Sequence, residues 1–319
     1  FTEEAFDDFY VGKGSTYPDV HGSVGILFEQ GSSRGHVQES LQGDLSFPFA
    51  IDNQYRTSFS TLTGAVAHKK DLQQAQYQFA QNVKDQARLD VVRGYLLHES
   101  ADKSRLQALL TLLQQHQIKA YALTEDFQIN GKSFAAGSSY FVPVEQNQYN
   151  LIKAAFNTDT NFRDNTFYDV SAWTLPYAYN IDFAASRKVP AALAEQPWTA
   201  SANQPVTLPE NAYAYALHWA DQQAPVQTAR LLQAGFQLRV APKAFSALTA
   251  VGPVEFAAGT VLLPAGLQQD GWQQKLAGVQ QQHQLPLVAL TSGLTPKGQD
   301  LGSNQVKPLT LPQVLLIAG

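Results

Sequence analysis

The sequence predicts an α/β protein in which two similar small lobes follow a differently built N-terminal region. Three observations carry that prediction. Short runs of β-branched and aromatic residues alternate with longer stretches whose apolar residues return at helical spacing. A strand–helix–strand phrase beginning near residue 94 recurs roughly 120 residues later. Between the two copies lies residues 187–211, rich in Pro and Ala and without periodicity.

Bulk properties narrow the class. With 319 residues the chain can form two or three domains with sizeable cores. A net charge of -5 and only 15% charged residues lack the basic footprint of a nucleic-acid binder. No apolar stretch approaches the roughly 18 residues of a membrane span. The absence of Cys excludes disulfides and thiolate chemistry, so any metal would need His and carboxylate ligands. Met is absent too, so Phe1 is read as a cleavage product or as a point inside a longer chain.

The N-terminal region, residues 1–88, reads as strand, loop and helix. Val24-Gly25-Ile26-Leu27-Phe28 is an apolar run that delivers Glu29 and then breaks into Gly31, Ser32, Ser33 and Gly35. Such a run predicts a buried strand entering a loop, and in open α/β sheets ligand sites gather beyond the carboxyl ends of strands. Residues 43–54 then read as extended and polar. A helix is expected from Ser58 to about Ala87, with Leu62, Val66, Leu72, Phe79 and Val83 on one face.

Residues 89–186 and 212–310 are the two lobes. In each, strand, helix and strand (94–123 and 213–242) lead to a hairpin-like phrase, "FAAGSSYFVPV" or "FAAGTVLLPAG", and then to a helix (147–156 and 271–284). Leu97-His98 and Leu217-His218 fall at equivalent strand ends. The closing "LPQVLLIAG" (311–319) predicts a strand, either the last of the existing sheet or the first of a further domain.

Few constellations carry chemistry. His36 and Glu39 have the His-x-x-Glu spacing of a zinc pair, but the spacing alone fixes no third ligand, and a hydrogen-bonded loop accounts for it. His68 is available in principle. His98 and His218 are accounted for as strand-end residues held by local hydrogen bonds. Ser32 and Ser33 lack nucleophile-elbow spacing, and "GKGST" lacks the first Gly of a phosphate loop, which leaves a turn. Tyr10 precedes a Gly-rich loop and Glu29 follows an apolar run, so a movable phenol and a fixed carboxylate could act on one substrate.

Tyr10 with the following "VGKGST", then "GILFEQGSSRGHVQE" and "LSFPFAIDNQYRTSFSTLTGAV", resembles the C-terminal end of the catalytic domain in the M14 zinc metallocarboxypeptidases, in a bacterial branch of that family. The resemblance covers about the first 85 residues. It implies a carboxypeptidase-like α/β domain, a peptide substrate and a zinc cofactor. Glu29 would be the general base and acid of hydrolysis, and Tyr10 would meet the substrate near its C-terminal carboxylate. Arg34 would help hold an anionic substrate or tie the loop to a neighbour. The family's zinc ligands and carboxylate-binding Arg precede the Tyr, so here they would precede Phe1. His36 and Glu39 follow Glu29, in the wrong order to replace them. Residues 167–176 and 298–306 are similar to accessory regions of the same branch, after which some members carry a glutamine-amidotransferase-like domain. The other reading is a non-catalytic module in which the paired lobes recognise a peptide or glycan, with Trp173, Tyr177, Tyr179 and Trp219 as candidate lining residues.

Overall fold

The computed structural model describes residues 10–161, 174–200, 208–209 and 211–312, and its architecture is mixed α/β with several small sheets. Trp173 and the strand expected within 311–319 lie outside the described residues, except for Leu311 and Pro312. The chain divides into two compact units, one of Phe1–His98 with Leu112–Trp198, the other of Glu99–Thr111 with Thr199–Gly319.

The N-terminal region departs from its expected form. Residues 24–28 are irregular and exposed rather than a buried strand. Among the described residues no strand pairs with their backbone, and an isolated strand leaves its N–H and C=O groups to water. Instead Gly25 donates its N–H to Asp19 Oδ1 at 2.8 Å. Gly25 also lies so close to the Ser15 carbonyl that a Cβ would approach its oxygen to 1.6 Å. A short hairpin follows, β1 (Val37–Ser40) against β2 (Gly43–Ser46).

The expected helix from Ser58 is two helices, α1 (Phe47–Ala67) and α2 (Lys69–Leu89), so most of the segment read as extended is helical. The local reason is at the start of α1. Ser46 Oγ accepts the Phe49 N–H, and Pro48 sits in the first turn, where its missing N–H costs nothing. α1 buries none of its residues, and α2 buries only Val83 and Ala87.

The rest of the first unit is built on β3 (Gly94–His98), β4 (Tyr121–Ala122), β7 (Ser139–Pro143) and β8 (Asp182–Ser186). These form an antiparallel sheet in the order β4-β7-β3-β8. A separate hairpin joins β5 (Phe127–Ile129) to β6 (Lys132–Phe134). Its two-residue turn puts Asn130 and Gly131 at positive φ, 52° and 74°, where that pair is favoured. Leu96 and Phe141 of the sheet pack with Phe134 of the hairpin and with Leu123. On the opposite face Tyr95 stacks on Phe156, centroids 4.4 Å apart, just after α4 (Tyr149–Ala155). The helix α3 (Lys103–Gln115) follows β3, and α5 (Leu175–Ala178) precedes β8. Residues of the aperiodic segment run beside β4, with Ala194 N–H bonded to Ala122 O and Trp198 N–H to Ala120 O.

The second unit contains β9 (Ala214–Leu217), α6 (Ala224–Gln233), β10 (Leu238–Val240), β11 (Phe245–Thr249), β12 (Gly252–Phe256), β13 (Val261–Pro264), α7 (Trp272–His283), β14 (Leu287–Leu290) and β15 (Lys307–Leu309). Its main sheet has the order β14-β9-β13-β10-β15. Alternation along β9 sends Tyr215 and Leu217 into a core with Leu231 of α6 and Leu276 of α7. Ala214 and Ala216 face a second core with Phe245 and Phe256 of the β11–β12 hairpin. Read from β10, the order β10-β13-β9-β14 repeats the first unit's β4-β7-β3-β8 strand for strand. The two hairpin-like phrases are corners in both units. Phe134 and Phe256 end strands of the small hairpins, and the next strands belong to the main sheets.

Candidate functional site

Glu29 sits in the irregular segment, exposed, and its carboxylate has no hydrogen-bond or ion-pair partner among the described residues. The chain around it is irregular, so the carboxylate lacks the rigid strand expected to hold it. Arg34 is also exposed, at a positive φ of 46°, its backbone N–H held by Ser32 Oγ at 3.1 Å. Ser33 is buried and donates to the Gly35 carbonyl at 2.9 Å, a local loop contact that leaves it no base.

Tyr10 is placed differently. Its ring folds over Gly12 so closely that a Cβ there would come within 2.5 Å of it. Tyr10, Val11 and Gly12 cover a cavity of about 270 Å³ whose walls come from α3, α4 and α5. Tyr17, at the far side of the same loop, hydrogen-bonds His116 Nδ1 at 2.7 Å and stacks obliquely on His21. Glu29 and Arg34 do not line this cavity.

A second concavity lies nearer Glu29. Val24, Ile26 and Phe28 form one wall of an open groove of about 960 Å³, and α1 and α2 form the other through Thr61, Ala65 and Leu72. Its lining is apolar, with Arg56 and His68 the ionisable side chains on it.

No group of three or more His, Asp or Glu side chains gathers as a metal site among the described residues. His36 and Glu39 are exposed, and the Glu39 backbone pairs with Asp44 within the β1–β2 hairpin. His68 sits between the two helices, its Nδ1 3.2 Å from Asp71. The side chains present therefore do not fit a catalytic zinc.

The strand-end histidines behave as structural residues. His98 Nδ1 pairs with Ser139 Oγ at 2.8 Å and meets Phe134 edge-on. His218 stacks on Phe256 at 4.6 Å, and burial pushes its pKa down although Asp221 opposes the shift. Each His thus lies on the Phe that ends its own unit's small hairpin. Of the candidate aromatics, Tyr177 is exposed with its ring against Phe183, and Trp219 is half-exposed over Gly259.

Two ionic clusters escaped the sequence reading. In the second unit Asp102 is buried. Its Oδ1 accepts the Arg105 N–H and Ser104 Oγ, and its Oδ2 accepts the Gln222 N–H at 3.0 Å. Asp221 in turn accepts the Gln223 N–H and the Ser104 hydroxyl, so the start of α3 is tied to the residues just ahead of α6. Burial raises the pKa of Glu99, but the Asp102 N–H, the Arg105 guanidinium and the Ala101 N–H outweigh it and hold the carboxyl below its ordinary value. In the first unit Asp90 accepts from Lys153 Nζ and Tyr149 Oη, both at 2.9 Å. "ADKSRLQ" carries a helix-capping signal for Asp102, whereas nothing local marks Lys153 as a partner of Asp90.

No family model, no curated protein and no solved structure matches this chain.

Proposed function

We propose that this chain is the C-terminal part of an M14-like zinc carboxypeptidase, joined to two accessory α/β lobes that are copies of one unit. The observation that carries this reading is the apolar face left exposed by the segment that bears the resemblance. Ile26, Leu27, Phe28, Phe49, Ile51, Phe59, Leu62 and Val66 all face solvent. Large apolar residues left exposed in this number support a face that another surface covers. A catalytic domain of which residues 10–89 form only the closing portion would supply that surface. The matching strand orders, set about the same offset as the sequence repeat, support the duplication.

In this reading the reaction is hydrolysis of a C-terminal peptide bond. Glu29 takes the proton of the attacking water and returns it to the leaving amine. Tyr10 meets the substrate once its loop leaves the cavity it covers, and Arg34 adds positive charge for the terminal carboxylate. Zinc belongs to the proposal through residues N-terminal to Phe1 in a longer gene product, since the described side chains do not assemble a site for it. A glutamine-amidotransferase-like domain after residue 310 belongs to the same proposal.

The test uses the longer gene product. Glu29→Gln should lower carboxypeptidase turnover by roughly 10²–10⁴-fold, the usual range for a lost general base, with zinc content unchanged. Wild-type turnover in that variant would reject the assignment. The alternative, a non-catalytic peptide- or glycan-binding module, is favoured by the separation of Tyr10's cavity from Glu29. It gains if the longer product binds no zinc and hydrolyses no peptide.

A further inference from the structure

We infer that the cavity beneath the Tyr10 loop is a binding site for a small, uncharged, single-ring molecule carrying a hydroxyl group. An apolar cavity of about 150 Å³ already accepts benzene, and a partly open concavity of larger volume has room for a single ring. This one measures about 270 Å³. Its walls are Leu112, Leu113, Ile118, Leu151, Ala155 and Leu175, of which Leu113, Ile118, Leu151 and Ala155 are buried. No carboxylate, Lys or Arg lines it, which disfavours a charged ligand.

The polar fittings are few, Tyr10 and Tyr17 from the N-terminal loop and His116 from just beyond α3. Tyr17 Oη and His116 Nδ1 share a proton at 2.7 Å, and the phenol oxygen keeps a lone pair for a further donor. Tyr10 also borders the cavity. An apolar chamber with a small number of convergent polar groups is the usual form of a small-molecule site. Gly12 carries the Tyr10 ring packed against it. The inference stands on this geometry alone and does not need Glu29 to be catalytic.

Titration of the 319-residue chain with 4-methylphenol and with toluene, followed by calorimetry and by the methyl resonances of Leu113 and Leu151, tests it. The phenol should bind saturably, one per chain, with a dissociation constant on the order of 0.1–1 mM for so small a ligand. Toluene should bind roughly fivefold more weakly, the effect of one hydrogen bond. Tyr17→Phe should erase that difference while leaving toluene binding unchanged. Leu175→Trp, from the partly exposed rim, should fill the chamber and abolish both. Ala155→Leu serves the same purpose should the larger side chain disturb the fold. Absence of saturable binding to the wild type, or undiminished binding to a folded, filled variant, overturns the inference. Equal loss of phenol and toluene in Tyr17→Phe overturns the hydroxyl preference. None of these outcomes depends on zinc or on turnover, so failure here and failure of the carboxypeptidase reading are separate results.

Discussion

Helix α1 and the sheets of the two units are comparably rich in large apolar residues, yet their fates are opposite. Leu62 and Val66 on α1 are 62% and 78% exposed, whereas Leu96, Phe141 and Leu262 in the sheets are fully buried. The sheets carry their partners with them, because helices on one face and a small hairpin on the other close both sides of the second unit's sheet. The α1 face has only the irregular segment 22–28 opposite it, and an open groove between. Apolar periodicity therefore states that a face needs a partner without saying where in the chain the partner lies.

The largest test of that contrast is a pair of truncations. Phe141→Ala should destabilise the first unit by about 3–5 kcal/mol, the cost of losing a fully buried ring. Leu62→Ala should change stability by no more than about 0.5 kcal/mol, as at other exposed positions. Denaturant unfolding of both variants measures the difference. A cost for Leu62→Ala approaching that of Phe141→Ala would mean that the α1 face is covered in solution, and the contrast would fail.

The same contrast explains what the sequence made legible. Local patterns were legible: strand–helix–strand in 94–123 and 213–242 is realised as β3-α3-β4 and β9-α6-β10. The small hairpins were missed although Asn130-Gly131 is a strong turn signal, because the phrases after them drew the reading. The strand at 24–28 failed for a physical reason. Val, Ile, Leu and Phe in a row satisfy strand propensity, but a strand forms only where another edge takes up its hydrogen bonds. Of the proposed site, the residue types were legible and their juxtaposition was not. Tyr10 lies on a cavity with Tyr17 and His116, and Glu29 lies elsewhere.

Polar residues sharpen the comparison next. Asp102, buried, caps α3 and also accepts the Gln222 N–H ahead of α6, so Asp102→Ala should cost about 2–3 kcal/mol by leaving the Arg105 and Gln222 N–H groups without their acceptor. Asp52→Ala on α1 removes only an exposed pair with Arg56 and should cost about 0.5 kcal/mol or less. Asp102→Asn, which retains one accepting oxygen, should fall between. Thermal unfolding ranks the three, and a loss in Asp52→Ala equal to that in Asp102→Ala would erase the distinction.

The smallest effect locates the border itself, which runs along α2. Its C-terminal end buries Val83 and Ala87, and Asp90 just beyond is tied to Lys153 and Tyr149 of α4. Burial raises the Asp90 pKa, but Lys153, the Val92 N–H and Tyr149 outweigh it and leave the carboxyl below its ordinary value. Burial lowers the Lys153 pKa, but Asp90 and Tyr95 outweigh it and leave the ammonium above its own. A depressed carboxyl stabilises above its unfolded pKa of about 3.9 and loses that contribution as pH falls through the lower folded value. A raised ammonium stabilises below about 10.4 and loses its contribution as pH rises past the folded value. Asp90→Asn should therefore cost about 0.5–1 kcal/mol near neutral pH, discounted for the partial exposure of Lys153. The gap from wild type should close in acid as pH falls through the lowered folded value of the wild-type carboxyl, which is then protonated as well. A gap that persists unchanged into acid would show that packing rather than charge holds α2 to α4, and would move the border of the packed region toward the helix's N-terminal end.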